Sequence, residues 1–170
     1  MKLRALASAD RQTTLSVTMG DWARQEPATL RWMAQLLLLI RRFEETVLEL
    51  AAAGLVHGPV HSAIGQEAVA VGAALALRPG DRIMGTHRSH HHYLAKVLTA
   101  LAPAGYDPLG TGLTPGMHEA VRTLLAEVMG LAAGCCGGRG GSMHLSHPAA
   151  GVIATDAIAG GGAPIATGAA

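Results

Sequence analysis

Two stretches hold most of the side chains able to do chemistry. His57-Gly58-Pro59-Val60-His61 runs on to Gly65-Gln66-Glu67, and Asp81-Arg82 runs on to Thr86-His87-Arg88-Ser89-His90-His91-His92. Together they place six of the nine histidines, an arginine and an acidic pair in under forty residues, in a chain where 15% of residues are charged. Imidazoles serve near neutral pH as proton-transfer groups or metal ligands. A guanidinium offers a charge-assisted fork that suits a diphosphate, and Arg88 falls where a helix is expected to start, so helix-start amides would reinforce it. On the residues alone, an anion-binding Arg88 and a surface arginine are equally good accounts.

His87, His90, His91 and His92 also raise a metal site, because some of them share a helix face. No cysteine or fixed carboxylate accompanies them, and Glu67 and Asp81 are linked to them only by proximity. One or two histidines working on a substrate, with the rest solvated or packed, is the better account. Gly137-Gly138-Arg139-Gly140-Gly141 could cradle a phosphate in a nest of amides. It is no P-loop, lacking a following Lys-Ser or Lys-Thr pair and a preceding apolar strand, and a mobile turn accounts for it as well. Gly160-Gly161-Gly162-Ala163-Pro164 lets backbone lie against a flat ring or a neighbouring helix.

The elements that must position these groups follow from periodicity. Residues 1–26 mix polar and charged types without a period and are expected to be a flexible arm. Residues 27–170 then form one domain portion. Pro27 opens a helix in which Leu30, Met33, Leu37, Ile40, Phe43 and Val47 recur at helical spacing, with Gly54 as its stop, a rod of roughly 40 Å. A second helix is expected over residues 66–77, a buried strand over 82–86, a helix over 89–98, a loop over 99–116 and a helix over 117–129. Residues 154–170 read as a tight turn leading into a small-residue helix near Pro164. That helix carries no stop signal, so the chain is expected to be a piece of something longer.

Composition bounds the rest. Hydrophobic residues make up 49% and aromatics 3%, so the core must be aliphatic. A net charge of +1 gives no reason to expect nucleic acid or an anionic membrane surface. The only cysteines, Cys135 and Cys136, are adjacent and give no disulfide framework, which favours a reducing compartment. The amino terminus has no apolar run fit for a secretory signal, and the longest apolar run, residues 36–40, is far short of a membrane span. A cytoplasmic protein is expected.

Several blocks occur together in one order: Arg42-Phe43-Glu44; His61 with Gly65-Gln66-Glu67-Ala68 and Val71-Gly72; His87-Arg88-Ser89-His90; Ala126-Glu127; Gly140-Gly141-Ser142-Met143-His144; and Gly160 with Pro164 and Gly168-Ala169. With one longer loop near residues 98–116, their order and spacing resemble the amino-terminal portion of the alpha subunit of the thiamine-diphosphate-dependent decarboxylating component of 2-oxo acid and acetoin dehydrogenase complexes. The His87-Arg88 pair is more similar to the acetoin-cleaving branch.

That resemblance implies an α/β thiamine diphosphate-binding fold, a parallel sheet flanked by helices, of which this chain is an incomplete and mostly helical part. It implies that His87 and Arg88 hold the cofactor diphosphate and that the backbone at Ala157 and Ala159 meets the aminopyrimidine ring. His61 and His90 would line the active site as proton-transfer groups. It implies a heterotetramer with a beta subunit, a lipoyl-bearing acyltransferase as acyl acceptor, and pyruvate, a related 2-oxo acid or acetoin as substrate. Two departures stand out. Asp156-Ala157-Ile158-Ala159-Gly160 replaces the family's Asn-Gly-Ile-Val-Gly, and its Mg²⁺-binding Gly-Asp-Gly and Asn are expected outside this chain. The competing expectations are a non-catalytic partner that keeps only a subunit interface, and a His-rich metal-binding module.

Overall fold

The computed structural model describes residues 16–170. Most of the expected arm, residues 1–15, lies outside the described residues. In the remainder, Met19–Ala23 forms a short helix, α1, started by a reciprocal cap in which Thr18 and Asp21 bond each other's backbone N–H; it has no buried residue.

Pro27–Ala52 is the long helix α2, begun by Pro27, whose missing N–H costs nothing in a first turn. Gly54 follows with φ +74°, a conformation glycine adopts without strain. The buried stripe is Trp32, Leu36, Ile40, Phe43 and Val47, with Met33 and Leu37 only partly covered. The expected stripe was therefore rotated in its first half. Residues 36–40 are apolar on every side of the helix, so periodicity there does not choose a face, and Leu38 is left 72% exposed.

Glu67–Ala76 forms α3, and His90–Leu101 forms α4, the central helix. Tyr93, Leu94, Ala95, Val97 and Leu98 of α4 are fully buried, covered by α2, α3 and the later helix α6, Pro115–Val128. Lys96 is buried too; its stem lies in the core while its ammonium reaches the Arg78 carbonyl at 3.4 Å. The expected loop over residues 99–116 holds a short helix, α5, Pro108–Thr111, capped by Asp107. Tyr106 beside it meets the Trp32 ring edge-on, with centroids 5.0 Å apart.

Two strands, β1 (Ile83–Thr86) and β2 (Val152–Asp156), pair in parallel, with Thr86 opposite Asp156. Residues 154–156, expected in a turn, thus belong to a strand. Val152, Ile153 and Thr155 are β-branched residues that fit a pleated surface, and the glycines around them conceal that signal. The last helix, α7, runs Gly162–Ala169 and packs against β1, while α4 packs against β2. The architecture is helical around a small parallel sheet, in keeping with an incomplete α/β fold. No described helix is long and apolar enough to cross a membrane.

Gly85 in β1 is required by close approach. A Cβ there would lie 2.4 Å from Ser89 Oγ and 2.8 Å from both Ser89 Cβ and Thr155 Cγ2. Gly85→Ala should therefore destabilise the fold by about 1–3 kcal/mol, the usual cost of overpacking, read as a lowered urea midpoint. An unchanged midpoint would mean that the strand and helix start are not this tightly apposed.

Candidate active site

Parallel pairing brings the carboxyl ends of β1 and β2 side by side, so the residues that follow each strand emerge at one edge. After Thr86 come His87, Arg88 and Ser89, the last being the residue that starts α4. After Asp156 come Ala157, Ile158 and Ala159, held in a tight turn because Asp156 Oδ1 accepts the Ile158 N–H at 3.1 Å. Ala157 is half-buried and Ala159 exposed. A cleft of about 340 Å³ opens beside the strand ends, between β1, the turn after β2 and α7, lined by Thr86, Asp156, Ile158, Gly160, Gly162 and Ala163 among others; His61, His87 and Arg88 do not line it. In open parallel sheets this edge is where ligands bind.

The loop before α3 closes onto the same edge. Arg88 donates from Nη1 to the Ser62 carbonyl, and the His61 and His87 rings meet edge-to-face with centroids 4.8 Å apart. His61, His87 and Arg88 are thereby brought together from segments 26 residues apart. His61 Nδ1 and Ser89 Oγ are buried polar atoms without hydrogen-bond partners, and α4 starts with no side-chain cap. Orphaned polar atoms and uncapped helix amides beside an arginine are suited to an anion.

The acidic pair is spent on structure. Glu67 binds the Arg41 Nε at 2.6 Å and accepts the Gly65 N–H at 3.0 Å, and the Arg41 bond is the main reason its carboxyl is held below the ordinary range. This fixes the loop that carries His61. Asp81 likewise accepts the Arg78 N–H at 2.8 Å, which lowers its pKa.

His90, expected to line the site, is placed elsewhere. It is fully buried, with Nδ1 3.1 Å from Glu44 Oε1 and Nε2 3.0 Å from both the hydroxyl and the carbonyl oxygen of Ser142. The first residue of α4 turns its side chain toward α2, so neither ring nitrogen faces the cleft. The His91 and His92 rings lie 4.2 Å apart, tilted by 46°. No three of the four imidazoles gather at ligand spacing among the described residues, which is not the arrangement of a His-rich metal module. Among the described residues, the only grouping of three potential ligands is Glu127, Cys135 and Cys136.

The glycine-rich nest is real, but it holds an internal carboxylate. Glu127, fully buried on α6, accepts backbone N–H groups from Cys136 and Gly138 on Oε2, at 2.7 and 2.9 Å, and from Gly140 and Gly141 on Oε1, at 2.6 and 3.2 Å. The loop is therefore wrapped around a side chain of its own chain and is neither a mobile turn nor an open phosphate cradle. Sequence reasoning missed Glu44 and Glu127 as organising residues. The available signal was a glutamate falling next to an apolar helical stripe, beside Phe43 in one case and Val128 in the other, since glutamate is seldom buried unless paired.

His91 gives this region a pH dependence. Burial, followed by the neighbouring His92, holds its pKa down at about 4, against 6.5 for the free side chain. As pH falls through 6.5, the unfolded chain takes up a proton that native His91 refuses, so stability declines until about pH 4 and then levels off. This shift corresponds to on the order of 3 kcal/mol. Urea unfolding between about pH 7 and pH 4 should show that slope reduced in His91→Phe; an equal slope in both proteins would mean that His91 is not buried neutral.

A parallel strand pair flanked by helices, with an arginine, two imidazoles and a helix start near its carboxyl edge, is the arrangement of an incomplete α/β fold. The chain belongs to the dehydrogenase E1 component family, which matches residues 35–170. It is 41% identical over 139 residues to the alpha subunit of acetoin:2,6-dichlorophenolindophenol oxidoreductase of Bacillus subtilis, covering 82% of this chain and 35% of that protein. The Cupriavidus necator protein of the same name is 37% identical over 131 residues, or 77% of this chain and 33% of that one. The alpha subunit of the pyruvate dehydrogenase E1 component of Zymomonas mobilis is 41% identical over 110 residues, or 64% and 25%. The chain thus spans about a third or less of the length of these curated relatives.

Proposed function

We propose that residues 27–170 form the diphosphate-holding wall of a thiamine diphosphate site, within a thiamine diphosphate-binding fold, in the alpha subunit of a 2-oxo acid or acetoin dehydrogenase E1 component. The observation that carries this reading is the meeting of Arg88, His87 and His61 at the carboxyl edge of β1 and β2. Acetoin is favoured over pyruvate as substrate by the His87-Arg88 pair. A beta subunit completes the site, a lipoyl-bearing acyltransferase receives the acyl group, and the assembly works in the cytoplasm.

The diphosphate fits what lies at this edge: a guanidinium, an uncapped helix start and the unpartnered Ser89 hydroxyl. Mg²⁺ finds no comparable set of oxygen ligands there: Asp156 is the one carboxylate lining the cleft, and one of its oxygens accepts the Ile158 N–H. Thiamine diphosphate, when bound, supplies carbanion stabilisation for the C–C cleavage. The chain's own residues do the rest. Arg88 neutralises the anion and, by holding the Ser62 carbonyl, fixes His61. The Nδ1 of His61, which has no partner within the chain, is free to hydrogen-bond a reacting group. The backbone of Ala157 and Ala159 offers a ring-sized wall. His90, locked between Glu44 and Ser142, serves by positioning the start of α4 under Arg88.

Calorimetric titration of the chain with thiamine diphosphate and Mg²⁺ tests this reading. Binding weaker than micromolar, further weakened by Arg88→Ala, is expected because only one wall of the site is present. Submicromolar binding indifferent to Arg88 would put the site elsewhere.

A further inference from the structure

Cys135 and Cys136 lie in the loop wrapped around Glu127, both half-buried and both free thiols. Their sulfurs and one Glu127 oxygen lie within 4.8 Å of one another, which by spacing alone outlines a three-ligand metal site. The carboxylate cannot join it. Each of its oxygens already accepts two backbone N–H groups, and a carboxylate oxygen offers about two lone-pair sites. A pair of adjacent sulfurs remains.

A second observation concerns Tyr93. Its ring is wholly buried, and its hydroxyl lies against the Cys135 thiol, with no hydrogen bond to any oxygen or nitrogen. Buried hydroxyls without an acceptor are uncommon, and a neutral thiol is a weak acceptor. A thiolate is a good one. The Tyr93 donor is thus satisfied once the neighbouring sulfur becomes anionic.

We propose that Cys135 and Cys136 form a two-thiolate site for a soft monovalent cation of the Cu(I) class, with the Tyr93 hydroxyl donating to the metal-bound sulfur. Thiolates select soft ions, and Zn²⁺, which seeks four ligands, finds only two here. On binding, two S–H bonds break, two S–metal bonds form, both protons leave to solvent, and the ion keeps its oxidation state. Burial pushes the Cys136 thiol up to about 11, so a thiophilic ion must displace its proton on binding. The site sits on the segment leading to Ser142, which holds His90, so occupancy would stiffen the support beneath α4.

Ag(I), a redox-silent probe of this ion class, tests the site on the full chain in thiol-free buffer. Native mass spectrometry should show one silver per chain, and silver should protect both cysteines from iodoacetamide. Cys135→Ser and Cys136→Ser should each weaken uptake by at least about a hundredfold, since a chelate is lost. Tyr93→Phe, which keeps the ring, should weaken it roughly tenfold. Equimolar Zn²⁺ should not compete. Absence of uptake or of protection in the unmodified chain, uptake that survives either serine variant, an unaltered affinity in Tyr93→Phe, or displacement by Zn²⁺ would overturn the proposal. The protection measurement needs no variant, so a poorly folding mutant does not decide the outcome.

Discussion

Glu127→Ala is expected to lose about 3–5 kcal/mol of stability, a large share of the roughly 5–15 kcal/mol that holds a typical domain folded. The carboxylate is fully buried and terminates four backbone N–H groups from residues 136, 138, 140 and 141. Alanine leaves those donors in an interior that cannot supply water to all of them, and an unsatisfied buried donor costs about 1–3 kcal/mol. Local relaxation keeps the total below the simple sum. Glu127→Gln preserves shape and one acceptor oxygen but turns an NH₂ group toward two of the four amides, so a smaller loss, about 2 kcal/mol, is expected. The glycines on the other side are equally constrained. A Cβ at Gly140 would lie 1.9 Å from the His144 carbonyl oxygen, and one at Gly134 would lie 2.3 Å from Glu127 Oε2. Urea unfolding of the two glutamate variants gives the measurement, and a Glu127→Ala midpoint within about 0.5 kcal/mol of the unmodified protein would show that the loop does not depend on its carboxylate.

The same contact explains what could be read from the sequence and what could not. Helix boundaries on α2, α3, α4 and α6 were legible because apolar periodicity and Pro or Gly punctuation are local signals. The strand β1 was legible for the same reason. The strand β2 was not, because glycines on both sides mask a β-branched run whose stability comes from pairing with a segment about 70 residues earlier. The grouping of His61, His87 and Arg88 followed from the ordered motifs, while their geometry rests on a long-range bond from Arg88 to the Ser62 carbonyl that no spacing rule contains. His90 turns inward for a related reason. A histidine one helical step from an arginine can face either the crevice or the core, and it was the buried carboxylate of Glu44, 46 residues earlier, that drew it inward. The nest at residues 137–141 was recognised as an amide cradle, but its occupant lies on a preceding helix whose only clue was an acidic residue beside an apolar stripe.

On the function proposed above, Arg88→Ala should lower the affinity for thiamine diphosphate, measured with the partner subunit that reading requires, by roughly ten- to a hundredfold, the value of losing charge-assisted hydrogen bonds to an anion. A second loss follows from the fold. The guanidinium also holds the Ser62 carbonyl, so its removal frees the loop carrying His61, and turnover at saturating cofactor should fall as well. Arg88→Lys separates the two effects. Lysine keeps the charge but is a single flexible point donor without the planar fork, so it cannot serve the carbonyl and the anion together. It should recover part of the cofactor affinity and little of the turnover. His61→Gln, which leaves the arginine intact, should show the converse: near-normal cofactor affinity with impaired turnover, because the imidazole Nδ1 has no structural partner to lose. Cofactor titration followed by steady-state assay of the three variants distinguishes these patterns. Equal cofactor affinity in Arg88→Ala and the unmodified enzyme would remove the anion-binding role from this residue, and parallel losses in Arg88→Lys and Arg88→Ala would reduce it to a bolt between the His61 loop and the end of β1.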